Sequence, residues 1–146
     1  MHSSSEIERL GTARSRIIGY WIITGLLVAE MLMGGIWDVA RTRHVVEVVT
    51  QLGYPAYILT ILGVWKLLAV PALLAPRLPL LKEWAYAGIF FEMTGAAVSH
   101  MTHGGGSEVI VTLVTAALAV SSWWLRPKSR RAGGIVAATV GAQEAR

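Results

Sequence analysis

Residues 56–75 of this chain read AYILTILGVWKLLAVPALLA, an apolar run whose one charged residue, Lys66, lies near its middle. A helix rises about 1.5 Å per residue, so about 20 residues cross the roughly 30 Å hydrocarbon core of a bilayer. The alternating pattern of a barrel strand is missing here, and a helix satisfies its own backbone hydrogen bonds in lipid. The run therefore predicts a membrane-spanning helix with an ionisable group at mid-bilayer depth.

Three further apolar runs of similar length, at residues 17–36, 84–101 and 109–125, occupy most of the remaining chain. Hydrophobic residues make up 54% of the sequence and charged residues 15%. A small soluble domain of this composition would expose too much apolar surface. We therefore predict an all-helical integral membrane protein, a bundle of four transmembrane helices over residues 17–127. Residues 1–16 and 128–146 are predicted to be tails, loosely ordered over 1–10 and 132–146.

The basic residues are distributed unequally between the two sides of the predicted spans. With the N-terminus in the cytoplasm, ten of the thirteen Lys and Arg residues lie on the inner side, and two, Arg41 and Arg43, lie on the outer side. The thirteenth, Lys66, lies within a span. Since the positive-inside rule favours this distribution, we expect a multi-pass inner-membrane protein with both termini in the cytoplasm. The net charge of +4 then reflects topology and a lipid bilayer as partner, not nucleic acid.

The connection between the first two spans, residues 38–55, carries valines at roughly helical spacing among charged residues. This amphipathic pattern predicts an interfacial helix on the outer face. Gly53 suits the position after a helix end, and Pro55 prevents its continuation. The short, proline-bounded turn at 76–79 makes the second and third spans antiparallel neighbours.

Lys66 lies about ten residues into the second span, and Glu92 lies about nine residues into the third, which runs in the opposite direction. Both residues therefore reach the same depth and can form a pair. A lone charge at this depth costs roughly 2.5–3.5 kcal/mol, so we expect both side chains to face protein or water. Two interpretations stay open: a structural ion pair that fixes helix register, or a functional polar cavity.

If the cavity is functional, it opens outward and is lined by residues from three spans. We predict catalytic roles for Glu92, Lys66 and His100, and ligand or cofactor contacts for Glu30, Lys66, Ser99 and His103. The simpler alternatives are that Glu30 reaches the headgroup region and that the histidines are ordinary interfacial residues. No metal site is predicted, since the 92, 100, 103 spacing matches no metal motif. The absence of cysteine excludes disulfides and thiol redox chemistry of this chain alone.

Four stretches resemble one family: residues 62–68 (LGVWKLL), 81–88 (LKEWAYAG), 91–100 (FEMTGAAVSH) and 124–127 (WLRP). Together they resemble the DoxX-like family of small bacterial membrane proteins, over residues 17–127. The resemblance implies a four-helix inner-membrane protein, in a wider group similar to the small subunit of thiosulfate:quinone oxidoreductase and to proteins found with membrane redox systems. The family-like polar positions are Lys66, Glu83, Glu92, Ser99 and His100. For Glu83 we expect only stabilisation of the helix N-terminus.

Three functions fit these observations. The first is an accessory or quinone-interacting subunit of a membrane redox system, in which the midplane polar pocket contacts a quinone headgroup and a redox partner supplies the electrons. The second is an enzyme that acts on a small lipophilic substrate, with Glu92 as acid or base and Lys66 stabilising developing negative charge. The third is a transport or membrane-organising role as a homo-oligomer. No cofactor other than quinone is suggested.

Overall fold

The structure of the protein is a computed structural model that describes residues 2–76, 78–127 and 130. The described residues form five α-helices and no strand: α1 (His2–Val39), α2 (Arg43–Gln51), α3 (Tyr57–Leu74), α4 (Pro79–Thr102) and α5 (Ser107–Leu125). The predicted all-helical class is confirmed. The predicted loose C-terminal segment, residues 132–146, lies outside the described residues.

The first helix is longer than predicted at both ends. It begins at His2, whereas we expected a loosely ordered segment over residues 1–10. It also continues to Val39 and takes in Asp38, which we expected in the following connection. No proline interrupts this region, and nothing else in it stops a helix. The chain turns only at Arg41, whose φ of 49° is left-handed and whose guanidinium donates to the Thr60 hydroxyl.

The connection between α1 and α3 contains the expected short helix. α2 is amphipathic, has no fully buried residue, and ends where predicted, just before Gly53. Gly53 has a φ of 83°, a conformation that costs glycine little. The helix itself is thus confirmed, whereas its location at the membrane interface remains a prediction.

Within the described residues, three helices are long and apolar enough to cross a membrane: residues 14–39 of α1, α3 and α5. α4 has sufficient length, with 24 residues, but it carries Lys82, Glu83, Glu92 and His100. The outer surface of the bundle is rich in large apolar side chains. Ile22, Phe91 and Ile110, for example, are 59%, 70% and 65% exposed. Such a surface is suited to lipid, and the protein is a membrane protein that contacts the bilayer.

The helices pack as α1 against α3 and α5, with α4 between α3 and α5. The core contains mainly Leu, Met, Ala and Tyr side chains, among them Leu27, Met31, Leu73, Tyr86, Met93 and Ala116. A buried hydroxyl cluster ties three helices together, because the Ser122 hydroxyl lies 2.7 Å from that of Thr24 and 2.8 Å from that of Tyr86. Such hydrogen bonds hold helices together in lipid, where burial of apolar surface provides little drive.

α1 and α3 approach closely at a pair of glycines. A Cβ added to Gly63 would lie 2.8 Å from the Gly35 carbonyl oxygen and 2.9 Å from the Cβ of Asp38. A Cβ added to Gly35 would in turn lie 3.1 Å from the Gly63 carbonyl oxygen. Backbone lies against backbone here, so the neighbour cannot move aside. The contact is therefore specific to glycine.

We expect Gly63→Ala to lower the free energy of unfolding by about 1–3 kcal/mol, because the added methyl forces α1 and α3 apart. The measurement is thermal unfolding in mild detergent, followed by circular dichroism. Gly25→Ala in α1 is the matched control, since a Cβ there meets nothing within 4 Å. A Gly63→Ala protein as stable as the Gly25→Ala protein would contradict the close approach.

Candidate functional site: a charge cluster beside a lateral cleft

Lys66 lies at the centre of a charge cluster between α1, α3 and α4. Its Nζ is 2.7 Å from Oδ2 of Asp38 and 3.3 Å from Oε1 of Glu92. The three side chains are only 13%, 7% and 16% exposed. The predicted contact between Lys66 and Glu92 is confirmed. Asp38, which we predicted to lie in the connection between the first two spans, makes the shorter contact with the Lys66 ammonium.

Glu30 lies beside the same cluster, one helical turn from Gly34. A Cβ on Gly34 would be 3.7 Å from Nζ of Lys66 and 3.9 Å from Oε1 of Glu30, so both side chains lie beside this glycine. The other carboxylate oxygen of Glu30, Oε2, is buried without a hydrogen-bond partner. A sequence signal for this arrangement existed. Glu30, Gly34 and Asp38 recur every four residues, which places them on one side of a helix.

The cluster contains three carboxyl groups and one ammonium group. If all four were ionised, two negative charges would remain uncompensated in a medium of low dielectric constant, which is costly. The site therefore has capacity for a proton, or for the hydrogen-bond donor of a ligand. The cluster thus contains more acid than a simple ion pair.

A cleft of about 260 Å³ lies between α3 and α4, with Lys66 and Glu92 at one end. Its other walls are apolar, and include Leu62, Leu68, Ala69, Ala72, Leu81, Gly88 and Ile89. Trp65 and Trp84 also line it and are 64% and 68% exposed, so they form a rim on the lipid-facing surface. The cleft thus joins the charge cluster to the side of the bundle.

The cleft extends from the charge cluster toward the connection between α3 and α4, away from the histidines. Ser99 and His103 do not line it. The Ser99 hydroxyl donates to the Gly95 carbonyl at 3.1 Å and lies 2.9 Å from the Tyr54 hydroxyl. The exposed His103 ring lies 3.0 Å from the Thr102 hydroxyl. These polar groups therefore find hydrogen-bond partners near the end of α4 that is far from the cleft.

The six residues predicted to line one outward-opening cavity therefore divide into two groups. Ser99 is seven residues beyond Glu92, about 10 Å along the helix, so sharing a helical face does not bring the two side chains together. The half-buried His100 lies further along and packs against Gly105. The cleft extends toward the connection between α3 and α4, which the predicted topology assigns to the cytoplasmic side. The roles proposed for Ser99, His100 and His103 remain predictions.

Glu83 also differs from expectation. It lies in the second turn of α4 and does not cap the helix. Its carboxylate accepts hydrogen bonds from the Arg126 guanidinium and, at 2.7 Å, from the indole N–H of Trp123. Glu83 therefore ties α4 to the end of α5. The contact spans about 40 residues of sequence, so the local position of Glu83 did not predict it.

A helical membrane protein with a polar cluster at the end of a lipid-facing cleft is the class defined by this fold and site. The profile of the DoxX-like family matches residues 22–122, and the chain belongs to that family. The matched range includes all four residues of the charge cluster and every residue that lines the cleft. It also includes three of the four stretches whose sequence resembles the family. No curated protein and no solved structure matches the chain.

We expect Lys66→Met to lower the free energy of unfolding by about 3–5 kcal/mol, because it removes the one cation among three carboxyl groups. Asp38→Asn alone should cost less, since it removes an acid from an acid-rich cluster. In the double variant the loss of stability should be smaller than the sum of the two single effects, because both substitutions remove the same contact between Lys66 and Asp38. Thermal unfolding of the wild type, the two single variants and the double variant in detergent gives this double-mutant cycle. Strict additivity would show that Lys66 and Asp38 do not interact.

Proposed function

We propose that the protein binds a neutral lipophilic molecule with a carbonyl-bearing head, of the quinone type, in the cleft between α3 and α4. In this proposal it is an accessory subunit of a membrane redox system. The observation that carries the proposal is the cleft itself, which has apolar walls, a charged end and a tryptophan rim that faces lipid. A ligand dissolved in the bilayer can enter from the side without crossing water.

The chemistry of the charged end suits a carbonyl oxygen. The Lys66 ammonium is a donor with three N–H bonds, and it lines the cleft together with Glu92. A ligand oxygen at this end would accept from Lys66, and Glu92 would accept from a ligand hydroxyl after reduction. The chain has no cysteine and therefore no thiol redox centre, so a partner would supply the electrons. Family membership is the reason for choosing a redox system.

A second function uses the same cleft, with Glu92 as the acid or base of an enzyme acting on a small lipophile. It is favoured by one observation: Glu92 lines the cleft, whereas Glu30 and Asp38 do not. Glu92→Gln should then abolish turnover and leave ligand binding largely intact. In the accessory-subunit proposal, the same variant only changes affinity.

Filling the cleft tests the binding proposal. Gly88 lines it, and a Cβ there meets nothing within 4 Å, so Gly88→Leu should fold and occupy the space. We expect this variant to bind decylubiquinone at least about tenfold more weakly, a loss of about 1.4 kcal/mol. Quenching of tryptophan fluorescence by the added quinone measures the affinity.

Gly95→Leu is the matched control, because Gly95 is equally open but lies outside the cleft. It should bind like the wild type. Trp65→Phe should remove much of the quenching without changing the affinity, because Trp65 lies at the rim. Equal affinity of the Gly88→Leu and Gly95→Leu proteins, or no quenching in the wild type, would overturn the quinone site.

We further propose that α4 is a fourth span and that both termini lie in the cytoplasm of a bacterial cell. α4 packs beside α3 and α5, and its 24 residues extend about 36 Å, enough to cross the bilayer. Its charged residues Lys82 and Glu83 lie near one end, and Glu92 is paired within the bundle. Phe91 and Val98 are exposed and suit lipid.

Single cysteines test this topology, since the chain has none. Gly106→Cys should react with a membrane-impermeant maleimide added to spheroplasts, and Pro76→Cys should react only after lysis, because the two positions lie at opposite ends of α4. A permeant maleimide is the control for intrinsic reactivity. Labelling of both from the same side would show that α4 does not cross the membrane.

A further inference from the structure

The end of the bundle away from the histidines carries a cluster of cations that the proposed function does not use. Lys82 is fully buried, and its Nζ donates to the carbonyls of Ala72 and Leu73. The Arg130 guanidinium donates to the next carbonyl, that of Leu74, at 3.3 Å. Three consecutive carbonyls at the end of α3 therefore accept from two cations. The negative end of the helix dipole favours both.

Within the described residues, Lys82 and Arg130 are held by neutral groups and form no ion pair. Lys82 and Arg130 bond to adjacent carbonyls of α3, and Arg126 binds Glu83, the residue next to Lys82, so the three cations lie close together. Arg126 is paired with the carboxylate of Glu83. The contacts of Lys82 and Arg130 are with neutral carbonyls and an aromatic ring. Carbonyl dipoles orient these cations but do not cancel their charge.

The surroundings of Arg130 are those of a lipid-facing surface. Its guanidinium lies 4.6 Å from the centre of the Trp21 ring, and Trp21 is 44% exposed. Ile17, Ile18 and Leu78, on neighbouring turns and the adjoining connection, are 47%, 53% and 49% exposed. An anionic group at Arg130 would thus have an apolar wall beside it. That combination accommodates a phosphate attached to acyl chains better than a free phosphate.

We propose that this cluster, Lys82, Arg126 and Arg130, binds the phosphate of an anionic phospholipid. Arg130 supplies the accessible donors, and the buried Lys82, which is bound to neutral carbonyls, supplies positive potential behind it. Arg126 lies beside them, paired with Glu83. The acyl chains lie along the exposed apolar side chains of α1 near Trp21. Arg130 follows α5, and its guanidinium donates to the Leu74 carbonyl at the end of α3. A lipid bound to Arg130 would therefore help to hold the ends of α3 and α5 together.

Native mass spectrometry of the full chain in detergent, titrated with phosphatidylglycerol, tests the proposal. The wild type should bind this lipid in preference to phosphatidylcholine. Arg130→Gln should weaken binding about fivefold, as expected for one cation near an anionic lipid headgroup. Arg130→Lys should keep most of the affinity, because it keeps the charge. Arg43→Gln, at an exposed arginine of α2 paired with Glu47, is the matched control and should bind like the wild type.

Any one of four results would overturn the proposal. Arg130→Gln could bind phosphatidylglycerol as tightly as the wild type, or Arg130→Lys could bind as weakly as Arg130→Gln. The wild type could also bind phosphatidylcholine equally well. A further arm adds glycerol 3-phosphate, which should not displace the lipid because it lacks acyl chains. Displacement by glycerol 3-phosphate would assign the cluster to soluble phosphates. Circular dichroism of each variant without lipid checks that it is folded.

Discussion

The structure depends on the compensation of the Lys66 ammonium group by carboxyl groups from neighbouring helices. Lys66 lies in the middle of an apolar helix, where a charge without partners is expensive. Asp38 and Glu92 provide contacts from two other helices, and Glu30 lies beside them. This requirement fixes the relative rotation of α1, α3 and α4. The extension of α1 through Asp38 brings that carboxylate within reach of Lys66.

Close packing makes that compensation geometrically feasible. Asp38 can reach Lys66 because α1 and α3 approach at Gly35 and Gly63, where a side chain on either would meet backbone. On the other side of Lys66, α3 and α4 do not close fully, and the cleft remains. The same lysine thus lies between a tight glycine contact and an open space. A polar group at the end of an apolar, lipid-accessible space can orient a lipophilic molecule by its polar head.

The two ends of the bundle differ in chemistry. At one end Lys82, Arg126 and Arg130 gather around the end of α3, with Glu83 between α4 and α5. At the other end Ser99 and His103 bond to near neighbours or to Tyr54. The proposed anionic lipid would bind at the cationic end. The cleft lies between the charge cluster and this end, so ligand and lipid would occupy adjacent parts of the protein.

The sequence by itself determined the helices, the membrane as their surroundings, and the contact between Lys66 and Glu92. Helix length, hydropathy and depth are properties of short segments, and two antiparallel neighbours bring residues of equal depth together. Only the tertiary structure decided that Asp38 joins Lys66, that the cleft extends away from Ser99 and His103, and that Glu83 binds Arg126. These features depend on the rotation of each helix and on how closely pairs approach. Both are set by contacts such as that of Gly35 and Gly63, between residues far apart in the chain.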